Sequence, residues 1–171
     1  MKQIKLTQGK YAIVDDEDFA WLNQWKWFVV ECSNKFYAGR HQWIGVINKK
    51  KVSKRIYMHR EVLQAKKGSE IDHKDGNSLN NQKLNLRIAT RSQNAMNRGK
   101  QINNKTGFKG VTLLKDQPRN KKYLSTIRIN QRNICLGVFL TKEDAAQTYN
   151  EAAKKYFGEF AYLNQVGGII R

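Results

Sequence analysis

The spacing of four polar residues constrains this chain more than any other feature: Asp72-His73, then Asn85 after eleven intervening residues, then Asn94 after eight more. Ile71 precedes the acid, and Lys74-Asp75-Gly76-Asn77 follows the imidazole. Ser69-Glu70-Ile71 can extend as a strand, whereas Asp75-Gly76 and Asn77-Ser78 are turn formers that reverse the chain. Leu84, Leu86 and Ile88 alternate with Asn85 and Arg87, the pattern of a short half-buried strand. Thr90 stands three residues before Gln93, a capping box that opens a helix and puts Asn94 in its first turn. Folded this way, the segment returns Asn94 to the strand end that carries Asp72 and His73.

A neutral imidazole is the side chain best poised to accept a proton near pH 7, which makes His73 the candidate general base. Asp72 and the Asn94 carbonyl are hard oxygen donors of the kind magnesium takes, an ion that keeps several waters and needs few protein ligands. Hydrolysis of a phosphodiester asks for both: a deprotonated water in line, and a cation beside the developing charge. The expectation is one divalent cation per site, magnesium by preference. A thiolate zinc cluster is not expected, because Cys32 and Cys135 are too few for one and stand far apart in the sequence. The plainer alternative is a polar turn beside a helix cap, with His73 on the surface.

From about Met58 to Asn97 the chain resembles the HNH endonucleases, in the branch with Asp-His at the first position and Asn at the last. The run IDHKDGNSLNNQKLNLRIATRSQNAMN carries the resemblance. It implies a ββα-metal fold, metal ligands Asp72 and Asn94, general base His73, and Asn85 as the residue that ties the loop together by hydrogen bonds.

Lys and Arg number 32 against 14 Asp and Glu, a formal net charge of +18. So basic a surface attracts polyanions, with salt-sensitive binding, and points to a nucleic acid. The few acids cluster. Asp15, Asp16, Glu17 and Asp18 suit the N-terminus of a helix continuing through Phe19, Trp21 and Leu22; a second metal site is the alternative there. No apolar run reaches membrane-spanning length and no signal-peptide core is present, so no membrane partner and a reducing cytoplasm are expected.

The fold class expected is α+β. Residues 1–57 form a β-rich region with strands at Lys2–Leu6, Tyr11–Val14, Trp25–Val30, Phe36–Arg40 and Lys54–Tyr57, and with Trp21, Trp25, Trp27 and Trp43 in its core, stacking on bases being the alternative for them. This region resembles the N-terminal extension of phage-type HNH proteins, which implies that it holds DNA through Lys35, Arg40 and the Lys49 to Arg55 cluster. A solvated charged loop is the other reading of that cluster. A helix begins at Met58, with His59 in a structural role; residues 58–98 form the nuclease core and 99–106 a polar linker.

Residues 107–171 follow a different pattern. Phe108–Leu114 supplies one strand; Tyr123, Ser125, Ile127 and Ile129 alternate in a second; Gln131-Arg132-Asn133 turns into a third ending at Phe139. Thr141 caps a helix that Gly158 ends, with Ala145, Tyr149, Ala152 and Tyr156 on one face. FKGV at Phe108, STIRI at Ser125, CLGVFLTKEDAA at Cys135 and AYLN at Ala161 resemble the Apetala-two, or ethylene-response-factor, domain. That resemblance implies a three-stranded antiparallel sheet on one helix, with the sheet in a DNA major groove. Lys109, Arg128 and the Arg132-Asn133 turn fall where that family places its DNA-contacting residues, as the resemblance implies. Lys109, Lys122 and Arg132 suit phosphates and Arg128 a base edge. Thr112, Leu114 and Cys135 depart from the family pattern, so its sequence preference does not transfer.

Together these features favour a site-specific DNA endonuclease of the homing type, of phage or intron origin by resemblance. Double-stranded DNA is its partner, with no small-molecule cofactor. It acts as a monomer on DNA, and a dimer is compatible. The alternatives are a non-catalytic DNA-binding transcriptional regulator and a basic RNA-binding protein.

Overall fold

Alternating apolar and polar residues build the first hairpin: β1 (Lys2–Lys5) pairs antiparallel with β2 (Tyr11–Val14), burying Ile4, Ala12 and Val14. The computed structural model describes residues 1–47, 49–114 and 123–167. The protein is mixed α and β, with several small antiparallel sheets and few helices, and divides into Met1–Asn94 and Ala95–Arg171.

In the first unit, α1 (Asp16–Leu22) follows β2, with its acids in the first turn as expected. They also do something the sequence did not suggest. The Asp15 carboxylate accepts from Gln82 Nε2 at 2.9 Å and from the Lys83 backbone N–H at 2.8 Å. Lys83 Nζ reaches Glu17 at 2.6 Å and Asp18 at 3.2 Å, which fills the acid run with a cation and removes the case for a metal there. Backbone bonds from Ile13 N to Leu79 O and from Asn81 N to Ile13 O complete the attachment of this region to the loop after His73.

A three-stranded antiparallel sheet follows, ordered β3 (Phe28–Cys32), β4 (Lys35–Ile47), β5 (Lys50–Tyr57). Ser33 and Asn34, both at positive φ, make the two-residue turn that matches strand twist. β4 runs seven residues past Arg40, where it was expected to end. Pairing with β5 sustains it although no core lies beneath: Trp43, Ile44, Val46 and Ile47 are all more than half exposed. Hydrophobic patterning misplaced this arm because backbone pairing, not burial, supports it.

Two further expectations fail here. Only Trp27 among the four tryptophans is buried, its indole N–H donating to Leu22 O at 2.8 Å; Trp25 and Trp43 are exposed. Arg40, expected to hold DNA, is buried at 8 % exposure, pairs with Glu61 at 2.8 Å and lies over the Trp25 ring. Trp25 and Trp43 stand in solvent while the cation is buried, its charge compensated by the partly buried Glu61 carboxylate.

The helix α2 (Met58–Val62) leads to β6 (Glu70–His73), which pairs antiparallel with β7 (Leu86–Ala89); α3 (Arg91–Met96) comes next. Leu84 lies outside β7 and is 86 % exposed, and Ile88 also faces solvent. The expected alternation is replaced by burial of Leu86 and Ala89, since the loop consumes residues up to Asn85. Ile4, Val14, Leu22, Trp27, Ala38, Met58, Val62 and Leu86 share one core, so residues before and after position 57 are packed together.

In the second unit, β8 (Val111–Leu113), β9 (Tyr123–Ile129) and β10 (Arg132–Phe139) form a sheet ordered β10-β9-β8. The hairpin turn is Asn130-Gln131, both at positive φ, rather than Gln131 to Asn133; Asn tolerates that conformation and Arg132 is already paired. On α4 (Lys142–Phe157) Thr141 caps the start by accepting from Asp144 N, and Gly158 ends it. Its buried stripe is Ala145, Ala146, Tyr149, Ala153 and Phe157, whereas Tyr156 is 48 % exposed. Ala145 and Tyr149 are shared with the expected face, and the stripe is displaced toward Ala146, Ala153 and Phe157, because each successive residue lies about 100° further round a helix of 3.6 residues per turn. Gly110 sits at positive φ where a Cβ would collide with the Tyr149 ring, which explains the glycine of FKGV. Asn164 of AYLN bonds the backbone of Lys109 on one side and the Asn150 side chain on the other, a buried polar latch. Residues expected to be linker also join this unit: Asn104 and Thr106 bond to Phe108 O and Val111 O.

Candidate active site

β6 carries two adjacent functional side chains, and strand geometry leans them to opposite sides. His73 is 7 % exposed, with its ring 5.5 Å from that of His59 at an interplanar angle of 75° and 6.3 Å from that of Tyr37. His59 in turn stacks on Tyr57 at 5.5 Å. Burial pushes the His73 pKa down to about 4; Asp75 opposes this, Lys35 adds to it, and Asp72 and a hydrogen bond with Asn81 oppose it more weakly. The imidazole is therefore neutral at pH 7. His59 is driven further, to about 3, first by burial and then by the positive charges of protonated His73 and of Arg60.

Asp72 lies on the other side of the strand and is 4 % exposed. Arg87, its register partner on β7, donates to Asp72 Oδ2 from Nε at 2.8 Å and Nη2 at 2.6 Å. Buried charges need such partners. From the sequence Arg87 reads only as a polar strand position; the signal for its role is an arginine directly across the ladder from the acid.

Asn85 lies at the end of the loop. Its Oδ1 accepts from Asp75 N at 3.0 Å, while Nδ2 donates to Asp75 Oδ1 at 3.0 Å and to Asn80 O at 2.9 Å. Lys74 N donates to the Asn85 carbonyl, so the chain on either side of the turn is stitched to one residue.

The capping box forms: Gln93 N donates to Thr90 Oγ1 at 3.2 Å, and Gln93 Oε1 accepts from Thr90 N at 2.8 Å. Asn94, one turn in, bonds back through its N–H to Thr90 O. Its side-chain Nδ2 donates to Glu70 Oε2 at 3.1 Å. Glu70 is two residues before Asp72, hence on the same face of β6. The sequence-derived set is thus arranged as Asp72 and Asn94 on the Glu70 side, His73 on the His59 side, and Asn85 behind the loop. Glu70 also borders an open concavity of about 420 Å³ between β6, β7 and the start of α3.

Among the described residues no group of three His, Cys, Asp or Glu side chains could cage a metal ion, as a zinc centre would require. A magnesium-type site asks for less. The Asp72 carboxylate, held by Arg87, supplies hard oxygen of the kind such an ion takes. With its Nδ2 committed to Glu70, the Asn94 amide has its carbonyl oxygen, a hard donor, as the remaining ligating atom. The donor chemistry fits a divalent cation held by few protein ligands.

Of the second-unit residues, Arg128, Arg132 and Asn133 are exposed, and Arg128 and Asn133 are cross-strand partners. Lys109 instead turns inward: its Nζ donates to Met96 O at 2.5 Å and lies over the Tyr162 ring. Burial, then Arg98, lowers its pKa to about 8. A phosphate contact would require it to leave these partners. Lys122 lies outside the described residues.

A strand-borne acid and buried neutral imidazole, a stitched loop and a capped helix thus follow one another between Glu70 and Met96. A family model described as HNH endonuclease matches residues 57–96. The chain is also 31 % identical over 150 residues to an uncharacterized HNH endonuclease, L560, of Acanthamoeba polyphaga mimivirus, covering 86 % of this chain and 75 % of that protein. The chain belongs to the HNH endonuclease family, and it is a nuclease. No solved structure matches it.

Proposed function

We propose that this protein is a metal-dependent, site-specific DNA endonuclease of the homing type, in which the first unit cuts and the second grips. The observation that carries the proposal is the pairing of a buried, neutral His73 with an adjacent Asp72 on the strand to whose Glu70 the capped helix bonds Asn94. His73 takes the proton of the attacking water, and its depressed pKa keeps it available as a base throughout the neutral range. Asp72 and Asn94 would hold the divalent cation, magnesium by preference, which when bound neutralises charge developing on the leaving oxygen. Arg87 holds Asp72 in place, and Asn85 keeps the turn after His73 closed. Both act on position rather than on the reacting atoms.

The second unit supports the grip. Its resemblance to the Apetala-two domain and its exposed Arg128, Asn133 and Arg132 suit a sheet laid in the major groove. In the first unit, the exposed β4–β5 arm with Lys49, Lys50, Lys51, Lys54 and Arg55 suits a second DNA contact. One cluster per chain favours nicking by a monomer.

Supercoiled plasmid carrying a target site, incubated with protein and magnesium, is expected to be nicked or linearised, and chelator to stop it. His73→Ala is expected to lower cutting by at least about 100-fold while DNA binding persists. Intact plasmid under every condition, or full-rate cutting by His73→Ala, would overturn the assignment.

A further inference from the structure

A carboxamide is an ambiguous ligand. Its oxygen can hold a hard cation and its NH2 cannot, yet the two ends have nearly the same shape, and rotation about the last bond exchanges them. Nothing in Asn94 itself decides which end is offered to a cation. The decision comes from outside the side chain.

Glu70 is the group that makes it. A carboxylate accepts hydrogen bonds and donates none, so the 3.1 Å contact between Glu70 Oε2 and Asn94 is satisfied only with the NH2 end toward Glu70. Charge assistance strengthens that bond relative to a neutral one. The backbone on both sides is fixed: Glu70 lies in the β6 ladder opposite Ala89, and Asn94 is bonded to Thr90 within the capping box. Neither partner reaches the other by chance of loop conformation.

We infer that Glu70 is a positioning residue, which locks the Asn94 carboxamide with its oxygen outward and thereby sets the affinity of the site for a divalent cation. The inference rests on the metal-site reading given above. It separates two roles a carboxylate could have there. As a positioning residue Glu70 needs only to accept a hydrogen bond; as a ligand or charge source it must be ionised. Gln retains an acceptor oxygen and loses the charge, whereas Ala loses both.

The test is manganese binding to the full-length protein without DNA, followed by the electron paramagnetic resonance of the unbound ion, so that no activity is read. Glu70→Ala is expected to weaken manganese binding by about tenfold or more, the usual consequence of losing a group that orients a ligand. Glu70→Gln is expected to stay within about threefold of wild type on the same scale. The Asn94 side-chain amide signals, assigned by their loss in Asn94→Ala, are expected to exchange slowly with solvent in wild type and Glu70→Gln and rapidly in Glu70→Ala. Equal weakening in both Glu70 variants would overturn positioning in favour of charge, and unchanged affinity in Glu70→Ala would overturn any role. Wild type that binds no manganese while Asn94→Ala behaves identically would sink the metal site itself, a result distinct from the other two. Should Glu70→Ala fail to fold, slow exchange lost in Glu70→Gln would still refute the proposal.

Discussion

The contact that the sequence least advertised is the ion pair between Arg87 and Asp72, with both side chains about nine-tenths buried or more. Such a pair is expensive to break from one side, because the remaining charge stays buried without compensation. Arg87→Met is expected to lower the stability of the first unit by about 3 kcal/mol or more, measured by urea unfolding at pH 7, and to reduce cutting together with it. A change below about 0.5 kcal/mol, the range of ordinary surface substitutions, would show that Asp72 does not depend on Arg87. The two histidines give a separate, pH-resolved test. Both have folded pKa values below the usual 6.5, His73 at about 4 and His59 at about 3. Below pH 6.5 the unfolded chain takes up protons that the folded chain refuses, so stability is full above 6.5 and declines as pH falls toward 4. The slope approaches about 1.4 kcal/mol per pH unit for each group. The unfolding midpoint of the first unit is therefore expected to drop between pH 6.5 and 4.5, and His59→Phe to reduce that slope by about half. A flat profile would mean that neither ring is held away from water.

At the scale of elements, the helix α3 matters through its start. Thr90 and Gln93 exchange bonds with each other's backbone, and Asn94 is the next residue. Thr90→Ala is expected to remove about 1 kcal/mol of stability and to lower cutting more than DNA binding, since the first turn of the helix sets where Asn94 sits. Equal loss of both would assign Thr90 to folding alone. This element was legible in the residues, as was the hairpin β1–β2, because capping and turn chemistry are local. The length of β4 was not. Trp43, expected in the core, stands with Ile44, Val46 and Ile47 in an exposed arm. If that arm contacts phosphates through Lys50, Lys51 and Lys54, replacing the three by Gln is expected to reduce the slope of log affinity against log salt by up to about 2.7, at about 0.9 per phosphate contact. An unchanged slope would leave the arm outside the DNA footprint.

For the whole molecule, one chain contains two units, and every residue of the proposed catalytic set lies in the first, Met1–Asn94. The region before residue 57 is part of that unit's core rather than an appendage, since β2 bonds to the loop at Leu79 and Asn81 and the Asp15 carboxylate holds Gln82 and Lys83. The sequence by itself determined the acid, the imidazole and the two carboxamides, the cap that starts α3, and a basic surface suited to nucleic acid, because each follows from residue type and short-range spacing. Tertiary structure alone decided which cations are paired and buried. Arg40 went to Glu61, Arg87 to Asp72 and Lys109 to Met96 O, while Trp25 and Trp43 were left to solvent. The physical reason is that a charged side chain is stabilised inside only by a partner brought from elsewhere in the chain, and no local pattern of residues encodes where that partner will arrive.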